Sequence, residues 1–454
     1  MAGQDDKAAT TAGFVAGVRR DLAGLADAPR ELWLVFAIKF FESVAFFAIY
    51  NLIAVYLTTD LGYGDVAAGT IAGTWLTAVS VLTFFAGVVA DGLGVRRSLL
   101  ISVLSCLIGR ALLASSAARP VAFAGIAVMT WGVAAMFPTM TAAVRGYTRK
   151  ETVSFGFSLF YVMMNLGAFV APRTIGWFRR NVSHGATLDL PLVGTAHFTS
   201  SRLIFLVGVG MTAVATALVL AMRPDEVVRR ESGVEEPARK DPPWKALRDL
   251  GSEKAFWRFM LFVTLLVFVR LIFQHAHLTW PKYTMREFGE TFGWADLWSL
   301  NPLMIMLFTP LATALTRNLS AFKCIVAGSL LSACSVFFMA ASTTVAASYA
   351  FVVALSLGEM LWSPRLYEYT STIAPRGREA SYMGLSQVPF FFAKPVVGSL
   401  SGFMLATWCP AAGPRDSGTM WLVIGLMTLV GPLAIWALRG VISPTAPRDA
   451  ATAA

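Results

Sequence analysis

The chain has 454 residues, 56% of them hydrophobic and only 14% charged, and its mean hydropathy is +0.63. Soluble globular domains carry about a quarter of their residues as Asp, Glu, Lys and Arg, so this composition excludes a soluble class and points to a polytopic membrane protein. The net charge of +10 is not a nucleic-acid signal, because Lys and Arg crowd into alternate loops between apolar runs.

Taken in chain order, residues 1–30 are polar and read as a cytoplasmic N-terminal segment, with no apolar core of a cleavable signal before Leu32. Six apolar segments follow, at about 31–57, 66–90, 98–117, 120–144, 154–177 and 200–222. Each has the roughly 20 residues that a membrane helix needs. Residues 223–254 form a charged stretch with Pro242 and Pro243, the pattern of a cytoplasmic linker. Six further segments are predicted at about 256–281, 293–316, 321–341, 344–372, 379–407 and 419–438, before a cytoplasmic tail at 441–454. The expected fold class is all-α integral membrane, with about twelve transmembrane helices in two six-helix bundles, 31–222 and 255–440, around a central cavity.

The basic loops set the orientation. Arg96 with Arg97, Arg145 with Arg149 and Lys150, the cluster from Arg223 to Arg258, Arg317 with Lys323, and Arg376 with Arg378 fall on one side. Opposite loops such as TTDLGYGD from Thr58 are poor in both Lys and Arg. The positive-inside bias then puts both termini in the cytoplasm, with the chain multi-pass in a plasma (inner) membrane. Cys106, Cys324, Cys334 and Cys409 show no metal spacing, and neither metal nor cofactor is expected.

Charges inside the apolar runs carry the functional signal. Lys39, Glu42, Arg110, Arg270, Glu359, Arg365, Glu368 and Lys394 all sit there, and each costs roughly 2.5–3.5 kcal/mol in hydrocarbon on insertion scales. Such residues face a bundle interior or a watery path, which points to transport. Lys39 and Glu42 are three apart, as are Arg365 and Glu368, so each couple shares a helix face and is predicted to pair. For Arg365 with Glu368 a purely structural pair is an equal alternative. Arg270, Gln274 and His277 lie on one face at i, i+4 and i+7, and His275 points elsewhere. Lys394 is in mid-run in FFFAKPVVG, where Pro389 and Pro395 interrupt backbone bonding and favour a cavity. Arg110 is expected to reach an interface in a structural role. Buried cations outnumber buried acids, so the expected substrate is a small molecule with an anionic group, received by Lys394 and Arg270. No P-loop ending in G-K-[ST] is present, which argues against a primary pump.

A weak internal repeat supports two halves. GVAAMFP, Gly132 to Pro138, and GEMLWSP, Gly358 to Pro364, each lie on the fourth segment of their half.

AGVVADGLGVRR, Ala86 to Arg97, resembles the loop signature G-x-L-A-D-x-x-G-R-R of the major facilitator superfamily. The resemblance implies a gating loop of Gly87, Asp91, Gly94, Arg96 and Arg97, with Gly94 permitting the turn. FSLFYVMMNLGAFVAP from Phe157, GEMLWSPRLYEYTSTIAPRGREASYMGL from Gly358 and FESVAFFAIYNLIAVYL from Phe41 resemble stretches of the proton-dependent oligopeptide transporters. That family's first helix carries E-x-x-E-R, where this chain has Lys39, Glu42 and Ser43. Phe137 stands at its helix-four lysine and Gln274 at its helix-seven acid, while Glu359 matches its helix-ten glutamate.

The resemblance implies a divergent proton-coupled symporter of a small peptide or another carboxylate-bearing metabolite, working by alternating access. Glu359, Glu42 and Lys39 would serve proton coupling. Lys394, Arg270, Gln274, His277, Glu359, Asn165 and Tyr161 would bind substrate. Implied partners are the small-molecule substrate, protons and the lipid bilayer, with no nucleic acid, for a monomer. Two other readings stand beside it: a proton-antiport exporter of drugs or metabolites, and a non-transporting membrane sensor or polytopic enzyme. An enzyme would call for a His/Asp/Glu cluster at one interface, and the sequence displays none.

Overall fold

The computed structural model describes residues 28–148, 152–190, 194–224, 254–316, 318–373 and 388–442. The first half runs α1 (Arg30–Thr59), α2 (Asp65–Leu93), α3 (Val95–Ser115), α4 (Arg119–Tyr147), α5 (Val153–Asn181), β1 (Ala186–Leu190), β2 (Gly194–Phe198) and α6 (Ser200–Leu220). The second runs α7 (Lys254–Leu278), α8 (Trp280–Phe288), α9 (Trp294–Trp298), α10 (Leu300–Leu315), α11 (Ala321–Cys334), α12 (Phe337–Ala341), α13 (Val345–Ile373), α14 (Val388–Trp408), α15 (Ser417–Ala437) and α16 (Arg439–Ile442). Eleven stretches among the described residues are long and apolar enough to cross a membrane. The chain is an all-α, multi-pass membrane protein.

The remaining segment of the expected twelve, 293–316, is broken at Ser299 between α9 and α10. Pro302 explains the break, since it has no N–H to offer the Trp298 carbonyl one turn earlier. The seventh segment differs in the other direction: helix resumes after Thr279 and continues through α8 to Phe288. Part of the eleventh segment, 379–387, lies outside the described residues, as does most of the 223–254 linker. The gap between α5 and α6 holds a two-stranded antiparallel hairpin that the sequence reading missed, with Ala186 opposite Phe198 and Leu190 opposite Gly194.

The chain packs as two compact units, counted over described residues. One is drawn from Met1–Phe47, Val79–Ala168 and Phe205–Ala238, the other from Ala48–Ala78, Phe169–Ile204 and Arg239–Ala454. The divisions fall within α1, α2, α5 and α6. The six-helix halves read from the sequence follow chain order and are a different partition.

In the first unit α3 and α4 lie backbone against backbone. A Cβ on Gly109 would come within 2.6 Å of the Gly125 carbonyl oxygen, and one on Gly132 within 2.5 Å of the Ser102 carbonyl oxygen. In hydrocarbon no hydrophobic effect drives helices together, so small residues that allow close van der Waals approach do so instead. The second unit repeats the device between α11 and α13, where a Cβ on Gly328 would lie 2.7 Å from the Gly358 carbonyl oxygen. Gly132 and Gly358 open the two copies of the sequence repeat, so the repeat marks the same helix contact in each half. The core of the second unit is aromatic and aliphatic, built from α7, α13, α14 and α15 around Phe259, Phe262, Leu266, Trp362 and Ile435.

Candidate functional site

The first unit holds a buried charge cluster. Arg110 of α3 has no exposed surface, and its Nη1 donates to both Glu42 oxygens of α1 at 2.9 and 2.8 Å. The same nitrogen donates to Thr212 Oγ1 of α6, whose own hydroxyl proton goes to the Gly208 carbonyl at 2.8 Å. Two expectations change here. Arg110 does not reach an interface, and Glu42 is paired with Arg110 rather than with Lys39. Arg110 Nη1 alone meets both Glu42 oxygens and the Thr212 hydroxyl, so the partner is selected by how α1, α3 and α6 pack rather than by spacing along α1. Lys39, 7% exposed, lies instead with Nζ 4.8 Å from the centre of the Phe160 ring and 5.5 Å from that of Phe137.

The rest of this unit's expected site is spread along α5 and the α2–α3 joint. Asn165 is buried and its Nδ2 donates to the Tyr161 carbonyl at 2.9 Å, one turn back on its own helix. Tyr161 is exposed. In the loop motif Gly94 has φ 79°, a conformation open to glycine and strained for other residues. Arg96 Nη2 donates to the Leu220 carbonyl at 3.3 Å, and Arg97 is exposed. Gly87 and Asp91 lie on α2, and their surroundings are outside the description.

In the second unit Gln274 and His277 are brought together by neighbours on α1. Tyr50 Oη donates to Gln274 Oε1 at 3.1 Å. Asn51 Oδ1 is 2.6 Å from His277 Nδ1, so Nδ1 carries the proton and Nε2 is left as an acceptor. The imidazole lies against Tyr50 and Trp298, with ring centres 4.1 and 5.1 Å away. His275 is apart from this group, buried and bonded to Thr279 Oγ1 at 2.8 Å.

Glu359, on α13, accepts from Asn301 Nδ2 at 3.0 Å, and Asn301 also donates to Ser356 Oγ at 3.1 Å. Arg270 stacks on Phe390 at 4.0 Å and faces Trp362 at 5.9 Å, close enough to Glu359 and Lys394 to act on both charges. Lys394 Nζ is 5.9 Å from the Phe391 ring centre. Pro364 in α13 and Pro395 in α14 cannot donate to the Met360 and Phe391 carbonyls, which loosens both helices within a turn or so of these charges. Arg365 donates to the Thr316 carbonyl at 2.9 Å, while the side chain of Glu368 lies outside the description, so that expected pair goes undescribed.

The sequence reading missed three sets of partners. Asn301 was visible as an amide in an apolar run just before Pro302. Tyr50 and Asn51 were polar residues in the first segment. The third set comprises charges in loops and at helix ends. Asp65 accepts from Lys282 at 3.1 Å and from Arg286 at 2.7 Å, and Arg286 also donates to the Cys409 carbonyl at 2.6 Å. Arg180 pairs with Asp296, and Arg179 with Glu290 at 3.0 Å. Lys and Arg on the side expected to be poor in them were the available signal.

With this geometry in view, a sequence profile of the Major Facilitator Superfamily matches residues 35–398. Among curated proteins, the dipeptide and tripeptide permease A of Cronobacter turicensis is 24% identical over 170 residues, 37% of this chain and 34% of that protein. The permease of the same name from Proteus mirabilis is 23% identical over 170 residues, again 37% of this chain and 35% of the relative. The matched region thus spans about a third of these relatives' length. Among solved structures, a POT family transporter in complex with 5-aminolevulinic acid superposes with TM-score 0.71 at 17% identity, covering 92% of this chain and 97% of that one. A POT family transporter in complex with a thioalcohol-conjugated peptide also gives 0.71, at 18% identity, covering 92% and 97%.

Proposed function

Because the chain belongs to the Major Facilitator Superfamily, we propose that it is a secondary active transporter carrying a small peptide or another carboxylate-bearing metabolite. Transport would proceed by alternating access, in symport with protons, across an inner membrane with both termini cytoplasmic. The permease relatives and the fold likeness to POT family transporters support the substrate class.

The observation that carries the reading is Glu359 on α13, held by Asn301 and within the field of Arg270. An ionised carboxylate in a membrane span is costly unless a cation, a donor or water compensates it. Glu359 has a donor and a cation in its own unit, and Lys394 adds a second positive charge to the cluster. A proton on Glu359 would cancel the negative charge that Arg270 now answers and leave Arg270 and Lys394 to hold a substrate carboxylate, so proton and substrate would bind together, as symport requires. Pro364, five residues on, would let α13 bend at this level as the cavity changes sides.

The test is uptake into proteoliposomes under an imposed proton gradient, with a panel of dipeptides, amino acids, organic anions and sugars. A dipeptide or carboxylate that accumulates against its gradient, and fails to when the proton gradient is collapsed, is the expected result. Accumulation of none of them would overturn the reading.

A further inference from the structure

Arg173 and Arg180 are two turns apart on α5, so they share one face of its C-terminal end. Both pair with Asp296 of α9, Arg180 closely and Arg173 at 3.7 Å. Gly176, between them on α5, makes room for that acid: a Cβ there would lie 2.9 Å from Asp296 Oδ1. All four residues belong to the second unit. Among the described residues no other ion pair involves either arginine. Two guanidiniums thus share one carboxylate, and this face carries one positive charge in excess. Both remain open, with 54% and 46% of the Arg173 and Arg180 side chains exposed. Arg173 also lies over the Phe169 ring, 5.3 Å from its centre, which steadies a cation without neutralising it.

Beside this charge is a cavity of about 350 Å³, lined by Phe169, Val170, Arg173, Thr174 and Trp177. Small-ligand sites run from about 300 to 1,000 Å³. The walls belong to the apolar span Phe155–Asn181, and Arg173 carries the one charge in this lining. Thr174 commits its hydroxyl proton to the Val170 carbonyl at 3.1 Å. Trp177, 53% exposed and one turn before the end of α5, stands where aromatic side chains mark the edge of a bilayer. Arg173 lies deeper, about 12 Å from the helix end at roughly 1.5 Å per residue. A guanidinium at that depth is costly unless water or an anion answers it. A soluble anion has no use for apolar walls, and a zwitterionic head group brings an ammonium that the excess positive charge repels.

We propose that this face of α5 binds a phospholipid with an anionic head group. The phosphodiester meets Arg173 and Arg180, and an acyl chain lies in the cavity along Phe169, Val170 and Trp177. The lipid belongs to the leaflet at the C-terminal end of α5, which is the outer one in the orientation proposed above.

Native mass spectrometry of the purified, delipidated full chain tests this, with dioleoylphosphatidylglycerol and dioleoylphosphatidylcholine as probes. The two lipids share phosphate and chains and differ in the ammonium. Wild type should take up phosphatidylglycerol at an about fivefold lower concentration, the factor for one charge near a membrane surface. Arg173→Gln should bring the two lipids level. So should Arg180→Gln, since either substitution removes the excess, and it serves if Arg173→Gln does not fold. Val170→Trp, which fills the cavity, should weaken both lipids. Equal uptake of the two lipids by wild type would overturn the proposal. A preference that survives in either folded arginine variant would do so too, as would unchanged uptake by Val170→Trp. Displacement of the lipid by an equal concentration of sn-glycerol 3-phosphate would make the site one for a soluble anion and overturn the lipid assignment.

Discussion

Arg110 and Glu42 show how a single buried contact is divided between stability and function. Breaking such a pair by removing one partner leaves an uncompensated charge, at a cost of about 3–5 kcal/mol, whereas replacing both with apolar residues is often close to neutral. Arg110→Ala should therefore lower the melting temperature in detergent far more than the double variant Glu42→Leu with Arg110→Met. Equal losses in the two would mean that the pair contributes little to folding. Glu359 calls for a different measurement. Glu359→Gln keeps an amide of the same shape beside Asn301 but cannot take up a proton. It should abolish gradient-driven accumulation and retain counterflow exchange, which needs no net proton movement. Full accumulation by Glu359→Gln would remove it as the coupling residue.

At the scale of elements, backbone contact at glycine recurs in two helix pairs. Gly109 and Gly125 bring α3 onto α4, and Gly328 and Gly358 bring α11 onto α13. Overpacking a close contact typically costs about 1–3 kcal/mol. Gly125→Leu and Gly358→Leu should each lose about that much, seen as a lower melting temperature or lower yield. Gly210 of α6 has nothing within 4 Å of where a Cβ would stand, so Gly210→Ala should stay within about 0.5 kcal/mol of wild type. Similar losses at all three positions would mean that the contacts at Gly125 and Gly358 are not what decides. The repeat was legible in the sequence as a Gly and a Pro six residues apart. Its meaning as a contact was not, because the partners Ser102, Cys106, Gly328 and Ser332 lie on other helices.

At the scale of the whole molecule, the Lys/Arg distribution predicts which loops face inward. Single cysteines placed at Ser232, in the linker, and at Gly64, where a Cβ meets nothing within 4 Å, test it once Cys106, Cys324, Cys334 and Cys409 are replaced. An impermeant reagent on intact cells should label the Gly64→Cys variant and spare Ser232→Cys. Labelling at Ser232 would reverse the assigned orientation.

The sequence by itself determined the membrane class, the run of spans and the family resemblance. Spans are long local runs of apolar side chains, and family motifs such as Ala86 to Arg97 are local spellings, so neither needs a distant partner to be read. It also showed which charges lie in hydrocarbon, because that too is a property of one segment. What only the tertiary structure decided is who answers each charge. Spacing on one helix suggested Lys39 with Glu42, yet the guanidinium of Arg110, 68 positions away, takes Glu42 and leaves Lys39 to two phenylalanine rings. In the same way Asn301 reaches Glu359 and Asn51 reaches His277 across 58 and 226 positions. In a low-dielectric interior a charge is held by whatever donor, acceptor or ring packing brings within a few ångströms, and that distance is set by how helices cross rather than by where residues stand in the chain.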